Sequence, residues 1–534
     1  MHQVHFDFII IGAGAGGGTL ARHLAPSGKK ILIIERGPWL PREQDNWSTK
    51  AVIVDRKYET TEVWTDQHGR PFHSNQHYNV GGNTKFWGAS LFRFRERDFH
   101  AHPTRDGMTI EWPLKYDVFE PYYTMAERMY DVHGQRGEDP TAPPIGEDYP
   151  FPPISHEPRV QEIADALRRK GLNPFHLPVG IRMDEERKFM SQCIRCNTCD
   201  AFPCMVQAKA DAEMNAVRPA IRHPNVTLLT EARVTRLMTS PSGREVTGVE
   251  VHLDDGMIIF KSDIVVVSCG AINSARLLLM SANDQHPRGL ANSSDQVGRN
   301  YMYHLLGWMW AITGKKHDTV FEKTLGLNDF YWGEPGYEFP MGNIQNTGRV
   351  NAEMMRATLK QPLPGMTFDQ MAERSTNWWI MTEDLPRPEN RITLDRDTLR
   401  ISYTENNRES FDRLTARWKS LLQEMEFVDQ VVSSSTYLGD KVPISGVAHQ
   451  CGTCRFGTDP KTSVLDVNCR THDVDNLYVV DSSFYPSSAA LNPTNTIIAN
   501  ALRVGDHLLE RMQATRPAKN VETRATAREL AGVN

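Results

Sequence analysis

No run of eighteen or more apolar residues occurs in the 534-residue chain, so no segment has the length of a membrane-spanning helix. The chain also lacks a basic excess, because 60 lysines and arginines stand against 66 aspartates and glutamates, for a net charge of −6. A surface that binds nucleic acid needs clustered basic residues, so nucleic acid is not an expected partner. Apolar residues make up 40% and charged residues 24%, which is typical of a globular protein and excludes a disordered one.

The amino terminus has little room for a targeting segment, because a strand-like run begins at Phe6. A secretory signal needs a charged stretch and an apolar stretch ahead of the folded part. We therefore expect a soluble, cytoplasmic protein. The chain is longer than one compact core usually accommodates, which predicts two domains or one heavily elaborated domain.

The start of the chain has the pattern of a parallel sheet. Phe6–Gly12 is a β-rich run that leads into glycines and the helical pattern Thr19–Leu24, and a second apolar run follows at Ile31–Glu35. Strand, helix and strand at this spacing predict one right-handed βαβ unit with a buried parallel sheet. Later patterns predict more elements of the same layer, namely strands at Val226–Leu229, Val234–Leu237, Ile264–Ser268 and near Asn476, and a helix at Asn495–Leu509.

These elements come from both ends of the chain, and the residues between them are richer in proline, tryptophan and tyrosine. This arrangement predicts a discontinuous first domain with a second domain inserted into it. The predicted boundaries are residues 1–96, 215–300 and 447–512 for the first domain and residues 97–214 and 301–446 for the second. Residues 513–534 are polar and are predicted to form a loose tail.

A glycine motif lies between the first predicted strand and the first predicted helix. Gly12, Gly14 and Gly17 form the pattern G-x-G-x-x-G, which permits a tight turn, close approach of a pyrophosphate and close packing of helix on strand. The helix N-terminus then faces the anion. Glu35 ends the next strand, where a carboxylate can accept hydrogen bonds from an adenosine ribose. The motif predicts dinucleotide binding and leaves NAD, NADP and FAD open, with NADP least favoured because an acid disfavours a 2′-phosphate.

Three later segments resemble the signatures of the glucose-methanol-choline (GMC) oxidoreductases and follow in that family's order. They are GGNTKFWGA at 81–89, GAINSARLL at 270–278, and residues 476–490 with the NPT of 492–494. The resemblance implies FAD and an α/β fold, α+β overall, in which a Rossmann-like FAD-binding domain carries an inserted substrate-binding domain built on an antiparallel sheet. It further implies that the following residues contact the cofactor: Gly81, Gly82, Asn83, Thr84, Gly88, Ala89, Val234, Asp481, Pro493 and Thr494.

Within this family the chain is most similar to the pyranose and glycoside oxidases, especially their bacterial members. The segments HYNVGGNTKFWGASLFR, TLGLNDFYWG and HQCGTCRFG carry this likeness. Fungal pyranose oxidases attach FAD covalently through a histidine of the glycine-rich loop, but Phe86 stands at that place here. Phenylalanine offers no nucleophilic atom, so we expect non-covalent FAD.

The chemistry that the resemblance implies needs a base. Oxidising an alcohol to a carbonyl removes the hydroxyl proton and a hydride from the same carbon, and flavin N5 accepts the hydride. An imidazole is largely neutral at pH 7 and suits the proton. His449 stands in HQCGTCRFG, similar to the family's catalytic-histidine segment, and Asn492 stands where the pyranose oxidases have an asparagine. We predict His449 as the base and Asn492 as the side chain that orients the substrate oxygen.

These residues favour oxidation of a secondary hydroxyl of a pyranose or glycoside, at carbon 2 or carbon 3, with dioxygen or another electron acceptor. One alternative is a dehydrogenase of a non-sugar alcohol that passes electrons to a quinone or to a partner subunit. Another is a flavoprotein without catalysis, which the presence of both His449 and Asn492 disfavours.

Four of the eight cysteines are clustered at Cys193, Cys196, Cys199 and Cys204. Four thiolates in one short loop can hold zinc or an iron–sulfur cluster, and some sugar dehydrogenases of the family carry such a cluster in a comparable region. The alternative is a loop of reduced thiols that pack beside the substrate domain. Spacing alone leaves both open.

Overall fold

The computed structural model describes residues 5–254, 256–396, 398–425, 428–433 and 442–514. The predicted loose tail lies outside these ranges from residue 515 onward. Nine α-helices are found in the described ranges, and they are, in chain order, α1 Ala15–Leu24, α2 Tyr116–Met129, α3 Pro158–Arg169, α4 Arg218–Ala220, α5 Ala271–Met280, α6 Ala352–Thr358, α7 Phe368–Ala372, α8 Arg408–Gln423 and α9 Thr494–Arg511. None of these helices combines the length and apolar character needed to cross a membrane, among the residues described.

The strands belong to two large sheets and three small ones. In chain order they are β1 His5–Ile11, β2 Ile31–Ile34, β3 Val63–Asp66, β4 Pro71–His73, β5 Pro103–Thr104, β6 Gly107–Met108, β7 Val132–His133, β8 Phe175–His176, β9 Val179–Gly180, β10 Val226–Leu229, β11 Arg233–Thr239, β12 Val246–Leu253, β13 Gly256–Val267, β14 Leu305–Thr313, β15 Leu325–Leu327, β16 Asn343–Asn346, β17 Ser375–Thr382, β18 Arg391–Asp395, β19 Thr398–Ser402, β20 Val428–Ser433 and β21 Leu477–Val479.

The seven-stranded sheet has the order β10-β2-β1-β13-β12-β11, with β21 paired to β13. β10, β2, β1, β13 and β21 run parallel, while β12 and β11 complete an antiparallel hairpin edge. The apolar runs at Phe8–Ile11 and Ile31–Ile34 are almost fully buried, as expected for parallel strands covered on both faces. The predicted strands and closing helix are confirmed. β12 was not predicted, and β13 begins at Gly256 rather than at Ile264.

The six-stranded sheet is antiparallel and has the order β20-β14-β17-β16-β15-β8. One face packs on α8, where the rings of Trp378 and Trp418 lie 4.5 Å apart. Side chains alternate along a strand, so the neighbouring Trp379 lies on the opposite face. Trp308 and Gln345 pair with Trp379 across the sheet and share that face. A Rossmann-like sheet and a separate antiparallel sheet confirm the predicted fold class.

A four-stranded sheet, β18-β19-β3-β4, connects the two regions. β3 and β4 fall in the range predicted for the first domain, whereas β18 and β19 fall in the range predicted for the inserted domain. All strands of the seven-stranded sheet fall in the ranges predicted for the first domain, and all strands of the six-stranded sheet fall in those predicted for the inserted domain. The boundaries of the two domains themselves remain a prediction.

Candidate active site

A cleft with about 1350 Å³ of empty space opens at the carboxyl ends of the parallel strands. This is where open α/β sheets bind ligands, because the strand ends and helix N-termini meet there. The lining residues within two positions of the carboxyl end of a strand include Gly12 after β1, Glu35 after β2, Ser268 and Cys269 after β13, and Asp481 after β21.

The glycines of the first turn fit a cofactor lying against the backbone. Gly12 has φ +107°, and a Cβ on it would lie 2.2 Å from the Ser268 carbonyl oxygen, so only glycine fits there. A Cβ on Gly14 would meet nothing within 4 Å, because Gly14 borders the cleft. Gly17 lies behind the cleft, where a Cβ would come within 2.1 Å of the Gly12 carbonyl oxygen. The N-terminus of α1 therefore faces open space, as a pyrophosphate requires.

Glu35 is buried at the edge of this cleft. Its Oε2 accepts a hydrogen bond from the Ala13 amide (2.9 Å) and its Oε1 accepts one from the Gly37 amide (3.0 Å). Burial raises the pKa of the Glu35 carboxyl, although the two amides oppose this shift. Glu35 thus also holds the glycine turn in place.

The glycine-rich loop contributes three of its predicted residues to the cleft. Gly82, Asn83 and Thr84 line it, and Gly81, with φ +94°, starts the 3₁₀ turn that carries them. The Thr84 hydroxyl donates to the Gly81 carbonyl and accepts a hydrogen bond from the Ala212 amide. The loop is therefore held from both sides.

The end of this loop lies away from the cleft lining. Gly88 abuts an ion pair, since a Cβ on it would lie within 2 Å of Lys323 Nζ and of an oxygen of Asp200. Lys323 donates to Asp200 at 2.5 Å. Ala89 is buried in the left-handed region, with φ +58°. Gly88 and Ala89 therefore shape the loop, and direct cofactor contact by them remains a prediction.

The carboxy-terminal segment closes the other side. Asp481 is buried, and its Oδ2 accepts hydrogen bonds from the Gly270 amide (3.0 Å) and the Ser274 hydroxyl (2.5 Å). Burial raises the pKa of this carboxyl, which its hydrogen-bond donors oppose. Pro493 and Thr494 line the cleft at the start of α9, and Val234 lines it from β11.

His449 is half-buried beside the cleft, since both of its neighbours, Ala448 and Gln450, line it. Its Nδ1 lies 3.0 Å from Nδ1 of His304. Burial lowers the pKa of His449 well below its usual value, and the positive charges that His304 and Lys323 can carry lower it further. The imidazole of His449 is therefore neutral at pH 7, as a base must be.

Asn492 directly precedes the cleft-lining Pro493. Its Oδ1 accepts a hydrogen bond of 2.8 Å from Nε2 of Gln345. Gln345 lies on the face of the antiparallel sheet that carries Trp308 and Trp379, opposite the face that packs on α8. This face therefore points toward Asn492. Among the described residues, no hydrogen bond joins Asn492 directly to His449.

Several cleft residues were not predicted. The Arg36 guanidinium lies 3.7 Å from the centre of the Tyr78 ring, and Glu62 binds both side chains. The His77 ring stacks on Phe86 at 3.6 Å. Arg36 directly follows Glu35, and His77 and Tyr78 belong to the quoted HYNVGG segment, so their proximity to the motifs was the available signal.

The four clustered cysteines are half-buried free thiols in the structure. Within the described ranges, no group of three or more His, Cys, Asp or Glu side chains is placed to hold one. Cys193 Sγ accepts a hydrogen bond from the Arg195 amide, and Cys196 Sγ accepts one from the Thr198 hydroxyl. Burial raises the pKa of Cys193 and of Cys199 to about 12. Zinc, an iron–sulfur cluster and a loop of reduced thiols all remain predictions for this segment.

Known proteins resemble the chain over most of its length. Residues 7–306 and residues 386–501 match the two family profiles described as GMC oxidoreductase. The chain is 29% identical to the 6'''-hydroxyparomomycin C oxidase of Streptomyces lividus, over 96% of the chain and 93% of that protein. It is 30% identical to the paromamine 6'-oxidase of Streptomyces fradiae (93% and 90% covered) and 27% identical to the fructose dehydrogenase large subunit of Gluconobacter japonicus (94% and 97%).

The fold is also that of a solved structure. Pyridoxine 4-oxidase from Mesorbium loti superposes with a TM-score of 0.66 at 20% identity, covering 94% of this chain and 99% of that one. Fold, glycine turn and cleft define a dinucleotide-binding oxidoreductase. The chain belongs to the GMC oxidoreductases, FAD-dependent enzymes that act on CH–OH groups.

Proposed function

We propose that the protein oxidises a hydroxyl of a sugar or glycoside to a carbonyl, with His449 as the base that takes the hydroxyl proton. The observation that carries this proposal is the place of His449 between two cleft-lining residues, Ala448 and Gln450, with its Nδ1 3.0 Å from Nδ1 of His304. Among the described residues, Nε2 of His449 makes no hydrogen bond, which leaves it available to a substrate. Asn492, which directly precedes the cleft-lining Pro493, would orient the substrate oxygen.

The cleft has the space and the polar groups that FAD needs. The bare backbone at Gly14 and Gly82 leaves room for the pyrophosphate, and Glu35 would accept hydrogen bonds from the adenosine ribose. When bound, FAD accepts the hydride that leaves the carbinol carbon. We propose non-covalent attachment, because Phe86 offers no nucleophile at the place where the covalent members of the family carry a histidine.

The antiparallel sheet favours a sugar as the substrate. Trp308 and Trp379 have ring centres 5.4 Å apart and ring planes inclined by 27°, on the face that also carries Gln345. Aromatic faces beside a few placed polar groups are a frequent lining of small-molecule sites. The apolar face of a sugar ring can lie on the tryptophans while its hydroxyls reach Gln345 and Asn492.

The oxidised carbon separates two versions of this proposal. The likeness to pyranose oxidases predicts a secondary hydroxyl, at carbon 2 or carbon 3. Two relatives are named for oxidation of aminoglycosides, one of them explicitly at a 6' position, which is the exocyclic primary carbon of a hexose. A ketone product supports the first version, and an aldehyde or acid supports the second.

The electron acceptor is dioxygen or another oxidant. A relative is named as the large subunit of a fructose dehydrogenase, which supports a second candidate, a dehydrogenase that works with a partner subunit. The cytoplasmic location remains a prediction. Recovery of the oxidised flavin band with and without oxygen separates the two candidates.

Anaerobic reduction of the purified protein tests the function. A panel of sugars, glycosides and simple alcohols is mixed with it, and the flavin band at about 450 nm is followed. We expect a sugar or glycoside to bleach the band.

In His449→Ala, FAD content should stay normal while reduction slows by about 10²–10⁴-fold. His472→Ala is a matched control, because His472 is also half-buried but bonds Ser463 away from the cleft. Unchanged reduction in His449→Ala, or bleaching by none of the alcohols, contradicts the proposal.

A further inference from the structure

His304 is a buried histidine that contacts the imidazole proposed as the base. It is 1% exposed and directly precedes β14. Its Nδ1 lies 3.0 Å from Nδ1 of His449, and its Nε2 lies 3.4 Å from the Ser488 carbonyl oxygen. The planes of the two rings are inclined by 73°, so the rings meet through their nitrogens and do not stack.

The surroundings of His304 decide which of its nitrogens carries the proton. Burial lowers the pKa of His304 to about 4, so the ring is neutral at pH 7 and has one N–H. The Ser488 carbonyl can only accept a hydrogen bond, so the N–H must be at Nε2. Nδ1 of His304 therefore presents a lone pair to His449.

This lone pair in turn decides the tautomer of His449. Two unprotonated nitrogens at 3.0 Å would repel, so Nδ1 of His449 must carry the proton and donate it. A neutral imidazole has one N–H, so Nε2 of His449 is left unprotonated. Nε2 is also the nitrogen that makes no hydrogen bond to the protein among the described residues.

We propose that His304 is a positioning residue, which fixes His449 as the Nδ1–H tautomer and so makes Nε2 the nitrogen that takes the substrate proton. The inference rests on the proposed role of His449 as the base. Once Nε2 has taken the proton, the Nδ1–H of the imidazolium still donates to His304, so the contact supports both states of the base. Ser488 acts through His304 by holding its Nε2–H.

Three substitutions separate this role from simple packing. His304→Phe keeps the ring volume but removes the acceptor. His304→Asn restores an acceptor oxygen close to the place of Nδ1. His317→Phe is the matched control, because His317 is buried, has a pKa lowered to about 4 by burial, and contacts a backbone carbonyl, that of Ser375, through Nε2 (3.0 Å). Among the described residues, no hydrogen bond or ring contact joins His317 to His449.

The holoenzyme is then measured in two ways. In anaerobic reduction by the substrate found for the wild type, His304→Phe should slow the flavin reduction by about 10–100-fold, with little change in the substrate concentration at half saturation. His304→Asn should recover most of the rate, and His317→Phe should retain it. The inference is overturned if His304→Phe reduces its flavin at the wild-type rate.

The second readout is the ¹⁵N spectrum of histidine-labelled holoenzyme, in which the His449 signals are identified by their loss in His449→Ala. We expect Nδ1 protonated and Nε2 unprotonated in the wild type, and a mixture of tautomers in His304→Phe. A wild-type His449 protonated at Nε2 overturns the inference, even if His304→Phe fails to fold. If His449→Ala reduces normally, the proposed function fails instead, whatever the tautomer.

Discussion

Nε2 of Gln345 donates a hydrogen bond to Oδ1 of Asn492 across 2.8 Å, joining the antiparallel sheet to the segment that borders the cofactor cleft. Gln345 is 1% exposed, so this bond is shielded from water. The bond determines which way the Asn492 amide faces, because its oxygen is engaged by the protein. The Nδ2 hydrogens of Asn492 are thereby left to donate elsewhere.

Gln345→Leu should therefore disturb the orientation of Asn492 without emptying the cofactor site. One hydrogen bond is worth about 0.5–1.5 kcal/mol, so flavin reduction should slow by about 3- to 10-fold. Anaerobic stopped-flow reduction with the substrate measures the rate, and flavin absorbance per protein measures FAD content. Gln430→Leu is the control, since Gln430 is exposed on β20 of the same sheet. A rate equal to that of Gln430→Leu would remove Gln345 from the positioning of Asn492.

Stability should fall as the pH rises through the titration of His102. Nε2 of His102 lies 3.2 Å from Glu383, whose other oxygen accepts a hydrogen bond from the Ala489 amide. Burial alone would lower the pKa of His102, but the hydrogen bond and charge of Glu383 outweigh it and raise the pKa to about 9. The folded-state pKa lies above the unfolded value of about 6.5, so the stabilisation is complete below pH 6.5 and lost toward pH 9.

The loss should amount to about 3 kcal/mol at most, since each pKa unit corresponds to about 1.4 kcal/mol. Thermal unfolding midpoints of the holoprotein between pH 6 and pH 9 measure it. In His102→Gln the midpoint should vary less with pH than in the wild type. His100→Gln serves as the control, because the His100–Glu111 pair is exposed. Equal pH dependence in the wild type and His102→Gln would show that the pair does not titrate in this range.

The parts of the site that were predictable are those that lie within one short segment. The turn from Gly12 to Gly17 and the acid at Glu35 depend on the local order of strand, glycines and helix. His304 and His449 are 145 residues apart in sequence, and Gln345 and Asn492 are 147 apart. No local pattern encodes such contacts, because they exist only once two sheets have packed.

The missed strand β12 has a different cause. Its sequence, VTGVEVHL, contains a glycine and alternates only partly, with polar residues facing outward on an antiparallel edge. The same edge extends β13 back to Gly256 through exposed residues. The buried run from Ile264 onward was predictable because both of its faces are covered. Burial on both faces leaves a clear apolar signal, and an exposed edge does not.

The thiols of the cysteine cluster should react unequally with an alkylating reagent. A thiol with a pKa near 12 has little thiolate at pH 8, so Cys193 and Cys199 should label more slowly than Cys196 and Cys204, which are also half-buried. Mass spectrometry of native protein treated with iodoacetamide measures the order. The buried Cys454 provides the slow reference. If all four thiols label slowly and a chelator makes them label faster, the cluster binds a metal instead.

Substitution of Gly14 and of Gly17 should separate cofactor binding from folding. A Cβ on Gly14 would meet no atom within 4 Å, and Gly14 already has an extended, negative-φ backbone, so Gly14→Val should fold. Its methyl groups would occupy the space that the pyrophosphate needs. We therefore expect FAD content to fall at least about tenfold, with an unchanged circular dichroism spectrum. Gly146→Val is the control, since a Cβ there would have only Glu120 Oε1 near it, at 3.8 Å.

Gly17→Ala should lose stability as well as FAD, although it adds less volume than Gly14→Val. Its Cβ would lie 2.1 Å from the Gly12 carbonyl oxygen, and neither backbone can yield without moving α1 away from β1. The thermal midpoint should therefore drop together with FAD content, and added FAD should not restore either. If Gly14→Val instead loads FAD fully, the pyrophosphate does not lie on this turn. If Gly17→Ala keeps the wild-type midpoint, close packing of helix on strand is not what its glycine provides.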